Sequence, residues 1–239
     1  MREAGQGFMA THARLSGLRG DCLVRDKHRC VISRIFDKDK VRERIAPDRR
    51  VMNDDDQPIA PGDFGHLEVA HILPHSLVKV ESNMEELDET RKTALEILNM
   101  FDNDIAYLIN GVEIDRPRNA LTLTRDLHQD FGRFEVYFTA HSDSSQPHTY
   151  VIETFLSAQV YPTLPIRRTL HLAADCNIEP PDPRLLAVHC AIAIILHPSA
   201  AGEYIHKILR GMEEQTVRSD CSTSLGDFVR LRIENMLAI

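Results

Sequence analysis

The chain has 239 residues, of which 43% are hydrophobic and 27% are charged, and its formal net charge at pH 7 is −8. This length and composition are typical of one large globular domain, or of two small ones that share a core. A net negative charge opposes nonspecific attraction to polyanions, so any contact with such a partner must depend on local basic clusters.

Three features of the chain bear on its cellular compartment. The longest apolar run, residues 185–196, is interrupted by His189 and is too short to span a bilayer, so it predicts a buried helix. The first residues contain no apolar signal core, and five scattered cysteines do not indicate a disulfide framework. We therefore expect an intracellular protein, cytoplasmic or nuclear, that is not secreted and has no contact with a membrane.

The first hundred residues contain three segments of different character. Residues 1–20 contain several glycines and predict a loosely held arm. Residues 53–58 are acidic and end in proline, which indicates a loop. Residues 84–100 have apolar side chains at helical intervals, which predicts a helical insertion.

A first histidine lies at the end of a predicted strand. Residues 66–73 are rich in apolar residues that partly alternate with polar ones, and Pro74 then prevents further pairing in a sheet. His71 is therefore expected near the end of this strand.

A second strand and a helix follow after residue 115. Residues 119–124 alternate and come after a turn-forming Arg-Pro-Arg, so they are the natural antiparallel partner of the first strand. Thr124 is suited to cap a helix that begins at Arg125, and His128 on that helix can face back toward the strands.

The last hundred residues predict a hairpin and then helices. Residues 134–138 and 148–155 are strand-like and are separated by a polar turn. A proline-rich boundary at 180–183 precedes two predicted helices over residues 184–216, which are separated near Pro198. We expect the apolar faces of these helices to pack on the core or to form a homodimer.

Taken together, His71, Asn119 and His128 resemble the motif of HNH endonucleases, and the chain is similar to the HNH domain of many fungal proteins. The resemblance covers about residues 20–140 and rests on four segments: Arg-Asp-Lys-His-Arg-Cys-Val-Ile-Ser (25–33), Ala-His-Ile-Leu-Pro (70–74), Arg-Pro-Arg-Asn-Ala-Leu-Thr-Leu (116–123) and Leu-His-Gln-Asp-Phe-Gly-Arg-Phe (127–134). It implies an α+β fold with a ββα-metal core, a helical insertion and a C-terminal helical segment. The expected organisation is an arm at 1–20, the nuclease-like domain at 21–155 and a helical region at 156–239.

The resemblance also implies a metal-dependent endonuclease that hydrolyses phosphodiester bonds, with DNA as its partner. His71 would be the base that activates water, because a neutral imidazole has a pKa of about 6.5. His128 and Asn119 would bind Mg²⁺ or a related divalent ion, although the Asn119 amide could instead hold the strands in register. If so, His71 and His128 should converge across a space that can hold a hydrated ion.

Three departures from the family pattern leave other functions open. Ala70 stands where many members have a metal ligand, Gly132 replaces an aspartate of the helix motif, and paired Cys-x-x-Cys knuckles are missing, so that Cys30 is read as a small buried apolar residue. Glu68 shares a face of the strand with Ala70 and could replace the lost ligand. The alternatives to a nuclease are a binding scaffold that has lost activity and an acid–base enzyme that acts on a small molecule.

Basic residues surround the second half of the motif despite the acidic overall balance. Arg116, Arg118, Arg125 and Arg133 could contact a nucleic-acid backbone. A second basic stretch, residues 14–50, includes Arg34 and could also line a phosphate track. Its part at residues 38–44 is interleaved with acidic residues, which favours a solvated charged surface there.

Overall fold

The computed structural model describes residues 12–45, 51–53, 57–74, 94–141, 146–170 and 177–197. These residues form helices and three small sheets, which is compatible with the expected α+β class. The helices are α1 (His12–Arg25), α2 (Lys38–Glu43), α3 (94–101), α4 (Ile105–Leu108), α5 (Arg125–Gly132) and α6 (Pro183–Leu196), with 3-10 turns at Gly111–Asp115 and Pro117–Asn119. The strands are β1 (Phe36–Asp37), β2 (Phe64–Gly65), β3 (Leu67–His71), β4 (Ala120–Thr124), β5 (Val136–Ala140), β6 (Thr149–Thr154) and β7 (Ile166–Thr169).

The predicted pairing of the two motif strands is confirmed. Strands β3 and β4 are antiparallel, with Leu67 opposite Thr124 and His71 opposite Ala120. Helix α5 begins at Arg125, directly after β4, as the sequence predicted, and Thr124 is at the N-cap position although its side chain makes no capping hydrogen bond. Strand, strand and helix therefore follow one another in the order that the motif required.

The two faces of the β3–β4 sheet pack against different helices. Because side chains alternate along a strand, Ala70 shares a face with Leu121 and Val69 shares the opposite face with Ala120. The Val69 face lies against Leu18 of α1. The Ala70 face belongs to the main core, which also contains the buried α5 residues Leu127 and Phe131.

A buried arginine ties α1 to the second half of the motif. The Arg25 side chain is 1% exposed, and its guanidinium donates to both carboxylate oxygens of Asp26, at 2.9 and 2.8 Å. It also donates to the carbonyl oxygens of Pro117, at 2.7 Å, and Ala120, at 2.9 Å. A buried charge is tolerated only with such partners, so the Arg-Asp pair of the first motif segment fixes the start of β4.

The second sheet confirms the predicted hairpin and extends it. Strands β5 and β6 are antiparallel, and β7 adds to β6 as a third strand. Helix α6, predicted as a buried helix, packs on β5. Strand β7 lies in the region 156–239, for which the sequence had predicted only helices, because its Ile-Arg-Arg-Thr sequence has too few apolar residues to indicate a strand.

Some of the sequence predictions differ from the structure, and others fall on residues that lie outside the described ranges. Residues 12–20, which the sequence assigned to an N-terminal arm, form the first part of α1. Residues 84–93 of the predicted insertion and the second C-terminal helix lie outside the described residues, while residues 94–101 are helical. Cys30 is buried and free, as expected for a small apolar residue. Within the described part of the chain, no helix has the length and hydropathy needed to cross a membrane.

Candidate functional site

One imidazole of the motif is paired with a carboxylate across the strand–helix junction. His128 Nδ1, on α5, lies 2.6 Å from Glu68 Oε2, on β3. The side chains are partly exposed, 23% for His128 and 38% for Glu68, so solvent reaches the pair. The prediction that His128 faces back toward the strands is thereby confirmed.

The other imidazole is paired with a different carboxylate. His71 Nε2, at the end of β3, lies 3.2 Å from Asp115 Oδ1, in the 3-10 turn before β4. The Asp115 side chain is 3% exposed, and its second oxygen lies 3.7 Å from Arg14 Nε on α1. A buried carboxylate at this distance fixes the orientation of the imidazole ring.

The expectation that His71 and His128 converge on one ion is wrong for this structure. His71 shares a face of the sheet with Ala120, which packs on α1, whereas Glu68 and its partner His128 lie on the other face. The reason is strand alternation, since positions 68 and 71 differ by an odd number of residues. Across the described ranges, no group of three or more His, Cys, Asp or Glu side chains could hold a metal ion.

Asn119 is fully buried, and its side-chain amide makes hydrogen bonds to backbone groups. Its Oδ1 accepts a hydrogen bond from Leu73 N at 2.9 Å, and its Nδ2 donates to Leu73 O and Ile114 O, both at 3.0 Å. Asn119 lies in the 3-10 turn before β4, and not in the strand itself. These bonds hold the end of the His71 strand against the segment that enters β4, which corresponds to the second of the two roles that the sequence left open.

The four arginines that were predicted to contact nucleic acid have different surroundings. Arg116 makes a bidentate ion pair with Glu179, and Arg118 pairs with Glu113. Arg125 is 82% exposed, with its Nε 4.0 Å from Glu68 Oε1.

The fourth arginine, Arg133, follows α5. It lies beside the side-chain amide of Gln129. Of the four, Arg125 is the one that projects into solvent next to the Glu68–His128 pair.

Replacement of the usual ligand by Ala70 is accommodated in the core. Ala70 is 1% exposed and packs within the main core, so a charged side chain at this position would be shielded from solvent water. Glu68, two residues earlier on the same face, supplies a carboxylate to His128 instead.

Asp130, another acidic residue close to the motif, accepts a hydrogen bond from Tyr161. Burial and the Asp130 carboxylate raise the pKa of the Tyr161 hydroxyl.

A further histidine is buried beside the helix of the motif. His189, on α6, stacks on Phe131 with ring centroids 3.9 Å apart, and its Nε2–H donates to Phe131 O at 3.1 Å. Burial lowers the pKa of His189 to about 4, so the ring is neutral at pH 7. This histidine supports the helix and does not face solvent.

Sequence reasoning missed Asp115, because a single aspartate in a short polar segment carries no periodic signal. Its position two residues before Pro117, in the turn that leads into the second strand, was the one available indication.

Comparison with known proteins gives one result for the chain. A family model described as HNH endonuclease matches residues 30–139, somewhat less than half of the chain and including His71, Asn119 and His128. No curated protein and no solved structure matches significantly. The matched segment contains both motif strands and helix α5. The match over residues 30–139 supports an HNH endonuclease domain in this part of the chain.

Proposed function

We propose that the protein is a metal-dependent endonuclease that hydrolyses phosphodiester bonds of nucleic acid, with DNA as the substrate. The observation that carries this proposal is the placement of two imidazole–carboxylate pairs, His71–Asp115 and His128–Glu68, on the strand–strand–helix unit of an HNH-family domain. The His71–Asp115 pair has the chemistry of a base and its orienting group, and the His128–Glu68 pair consists of two groups that can bind a metal ion.

His128 and Glu68 fit a divalent cation by their chemistry. An imidazole nitrogen and a carboxylate oxygen are both metal ligands. At 2.6 Å the two atoms are hydrogen-bonded to each other, so a bound cation would replace the proton that they share. Mg²⁺ usually keeps several waters, so two protein ligands with waters and phosphate oxygens suffice. When bound, such a cation would neutralise charge on the scissile phosphate and stabilise the departing oxygen.

His71 is proposed as the base that takes a proton from the attacking water. With Nε2–H directed to Asp115, the other ring nitrogen, Nδ1, is the acceptor. The imidazolium that forms on proton transfer is then stabilised by the buried Asp115 carboxylate. Asp115 acts through His71, and it is a positioning residue.

The opposite placement of the two histidines is compatible with a substrate that crosses a strand edge. Within the described residues, β3 pairs with β4 alone, and the other edge of β3 has no neighbouring strand. A phosphodiester lying over that edge would meet side chains from both faces of the sheet. We propose this path for the substrate backbone, with Arg125 as a phosphate contact next to Glu68.

Asn119 and the other arginines receive secondary roles in this proposal. Asn119 holds the end of β3 in register through its three backbone hydrogen bonds, and it does not bind the metal. Arg116 and Arg118 would have to exchange their carboxylate partners for phosphate, so their contribution to binding is smaller than that of Arg125. Arg133 remains a predicted contact at the end of α5.

Nicking of supercoiled plasmid by the purified protein, with Mg²⁺, Mn²⁺ or chelator, tests this function. The wild type should nick in the presence of metal and not with chelator. His71→Ala should lose about 10²- to 10⁴-fold in rate, the usual contribution of a positioned base. His66→Ala is the matched control, because His66 is exposed and lies before β3. Absence of metal-dependent nicking, or equal nicking by His71→Ala, would exclude the proposed mechanism and favour a binding scaffold.

A further inference from the structure

A cluster of arginines lies outside the candidate site, where the turn after Cys30 meets strand β7. Arg34 donates through Nη2 to Thr169 O at 2.8 Å, and Arg168 donates through Nε to Ile32 O at 2.8 Å. Arg29 donates through Nη1 to Arg34 O at 2.8 Å. The two segments are thus joined by guanidinium–carbonyl bonds in both directions. We call Arg29, Arg34 and Arg168 the arginine cluster.

Within the described part of the chain, no paired carboxylate neutralises the charge of the arginine cluster. Among the described residues, the hydrogen bonds of these three guanidiniums go to backbone carbonyl oxygens, and none of the three forms an ion pair. Asp26 is near enough to influence Arg34, but it is buried and bound to Arg25. Burial and the neighbouring charge of Arg168 lower the pKa of Arg34, and Arg29 acts in the same direction.

The conformation of Arg34 adds an independent observation. Its φ of 66° is in the left-handed region, where glycine or asparagine is favoured over residues with long side chains. Its guanidinium reaches the surface, since the bond to Thr169 is solvent-exposed. Arg34 thus has a long cationic side chain at a strained backbone position, beside two further positive charges. Such a position is suited to bind an anion from outside the chain.

We propose that the arginine cluster is a second contact surface for the phosphate backbone of nucleic acid, separate from the candidate hydrolytic site. This inference rests on the proposed function for the class of partner. In a chain of net charge −8, uncompensated arginines with carbonyl-fixed geometry provide the local attraction that the whole molecule lacks. The Val31 N to Thr122 O hydrogen bond, at 2.9 Å, attaches the same turn to the strand that leads into α5.

The test measures binding of a short labelled DNA duplex by fluorescence anisotropy, with chelator present and over a range of salt concentrations. Each of Arg168→Gln and Arg29→Gln should weaken binding several-fold and reduce the slope of log K against log salt by about 0.9, the value for one lost phosphate contact. Arg168→Lys should keep the slope, because it retains the charge although it loses the arginine geometry. Arg167→Gln is the matched control, since Arg167 is exposed on the same strand and its side chain lies on the opposite face.

The outcomes separate this proposal from the proposed function. Equal slopes for wild type and Arg168→Gln, or equal loss in Arg168→Gln and Arg168→Lys, would overturn the proposed surface. Binding of polyglutamate with the same arginine dependence, but without binding of DNA, would also overturn it and indicate an acidic protein partner. Hydrolysis of a small phosphodiester, bis(p-nitrophenyl) phosphate, reports the hydrolytic site alone. Arginine-dependent binding of DNA without such hydrolysis would support the surface and contradict the nuclease.

Discussion

At the level of single residues, each motif histidine lies against a carboxylate among the residues that the structure describes. His71 has a buried partner, Asp115, whereas His128 has a partly exposed partner, Glu68. A buried carboxylate can orient a ring and stabilise its protonated form, while an exposed one can exchange its hydrogen bond for a metal ion. This difference in burial is the basis on which we propose different roles for two chemically similar pairs.

The role of Asp115 can be tested by removing its charge alone. Asp115→Asn should lower the rate of plasmid nicking roughly 10- to 100-fold, the usual cost of losing an orienting carboxylate, because the protonated His71 ring loses its stabilising partner. The metal concentration required for half the maximal rate should not change. Initial rates at saturating metal give the comparison, with Asp63→Asn at an exposed position as the control. Nicking by Asp115→Asn at the wild-type rate would remove Asp115 from the mechanism.

The residues differ in how well the sequence predicted them. The positions of His71 and His128 on strand and helix followed from apolar periodicity and from Pro74 and Thr124. The bonds of Asn119 to Leu73 and Ile114 could not be predicted, because they depend on the path of the chain between the two strands. Asp115 was missed for the same reason. Long-range contacts of this kind have no local sequence signal.

At the level of elements, the β3–β4 sheet is the frame of the site and α1 and α5 cover its two faces. Alternation in the strand decides which histidine meets which helix, and it was the source of the wrong expectation that both would converge. The hairpin of β5 and β6 was predicted correctly, whereas β1 and β2, two residues each, are too short for a periodic pattern to indicate. Packing of α6 then secures α5 through His189 and Phe131.

The contact between α5 and α6 predicts a pH-dependent stability. His189 has a lowered pKa of about 4 in the folded protein and an ordinary value of 6.5, so between these values the unfolded state binds the additional proton. Its contribution to the free energy of unfolding is complete above pH 6.5 and is lost as the pH falls toward 4. The loss amounts to at most about 3 kcal/mol.

Denaturant unfolding at several pH values between 4 and 7 measures this effect. His189→Gln should be less stable than the wild type at pH 7, because the stacking on Phe131 is lost, but its stability should fall less steeply toward pH 4. Other titrating groups are common to both proteins and cancel in the comparison. Parallel pH dependences for the two proteins would show that His189 is not the buried neutral group described here.

At the level of the whole molecule, the acidic balance and the proposed substrate impose opposite demands. A net charge of −8 disfavours contact with nucleic acid, so affinity must come from particular exposed arginines near the HNH-family segment. We propose for this role Arg125, which is exposed beside the candidate site, and the partly exposed arginine cluster at the β7 end, whereas Arg116 and Arg118 are occupied by Glu179 and Glu113. The sequence identified the first group by proximity to the motif. It placed Arg34 in a basic stretch but could not identify the cluster, because Arg29, Arg34 and Arg168 come together only when β7 meets the turn after Cys30.

The central claim is that one imidazole–carboxylate pair binds the metal and the other activates water. Single-turnover cleavage of a DNA duplex as a function of Mn²⁺ concentration, for wild type, His71→Ala, Glu68→Gln and His128→Ala, tests it most directly. Glu68→Gln and His128→Ala should raise the Mn²⁺ concentration for half-maximal rate by at least about tenfold. His71→Ala should lower the maximal rate and leave that concentration unchanged. Cleavage that needs no metal, or metal dependences that are the same in all four proteins, would contradict the account.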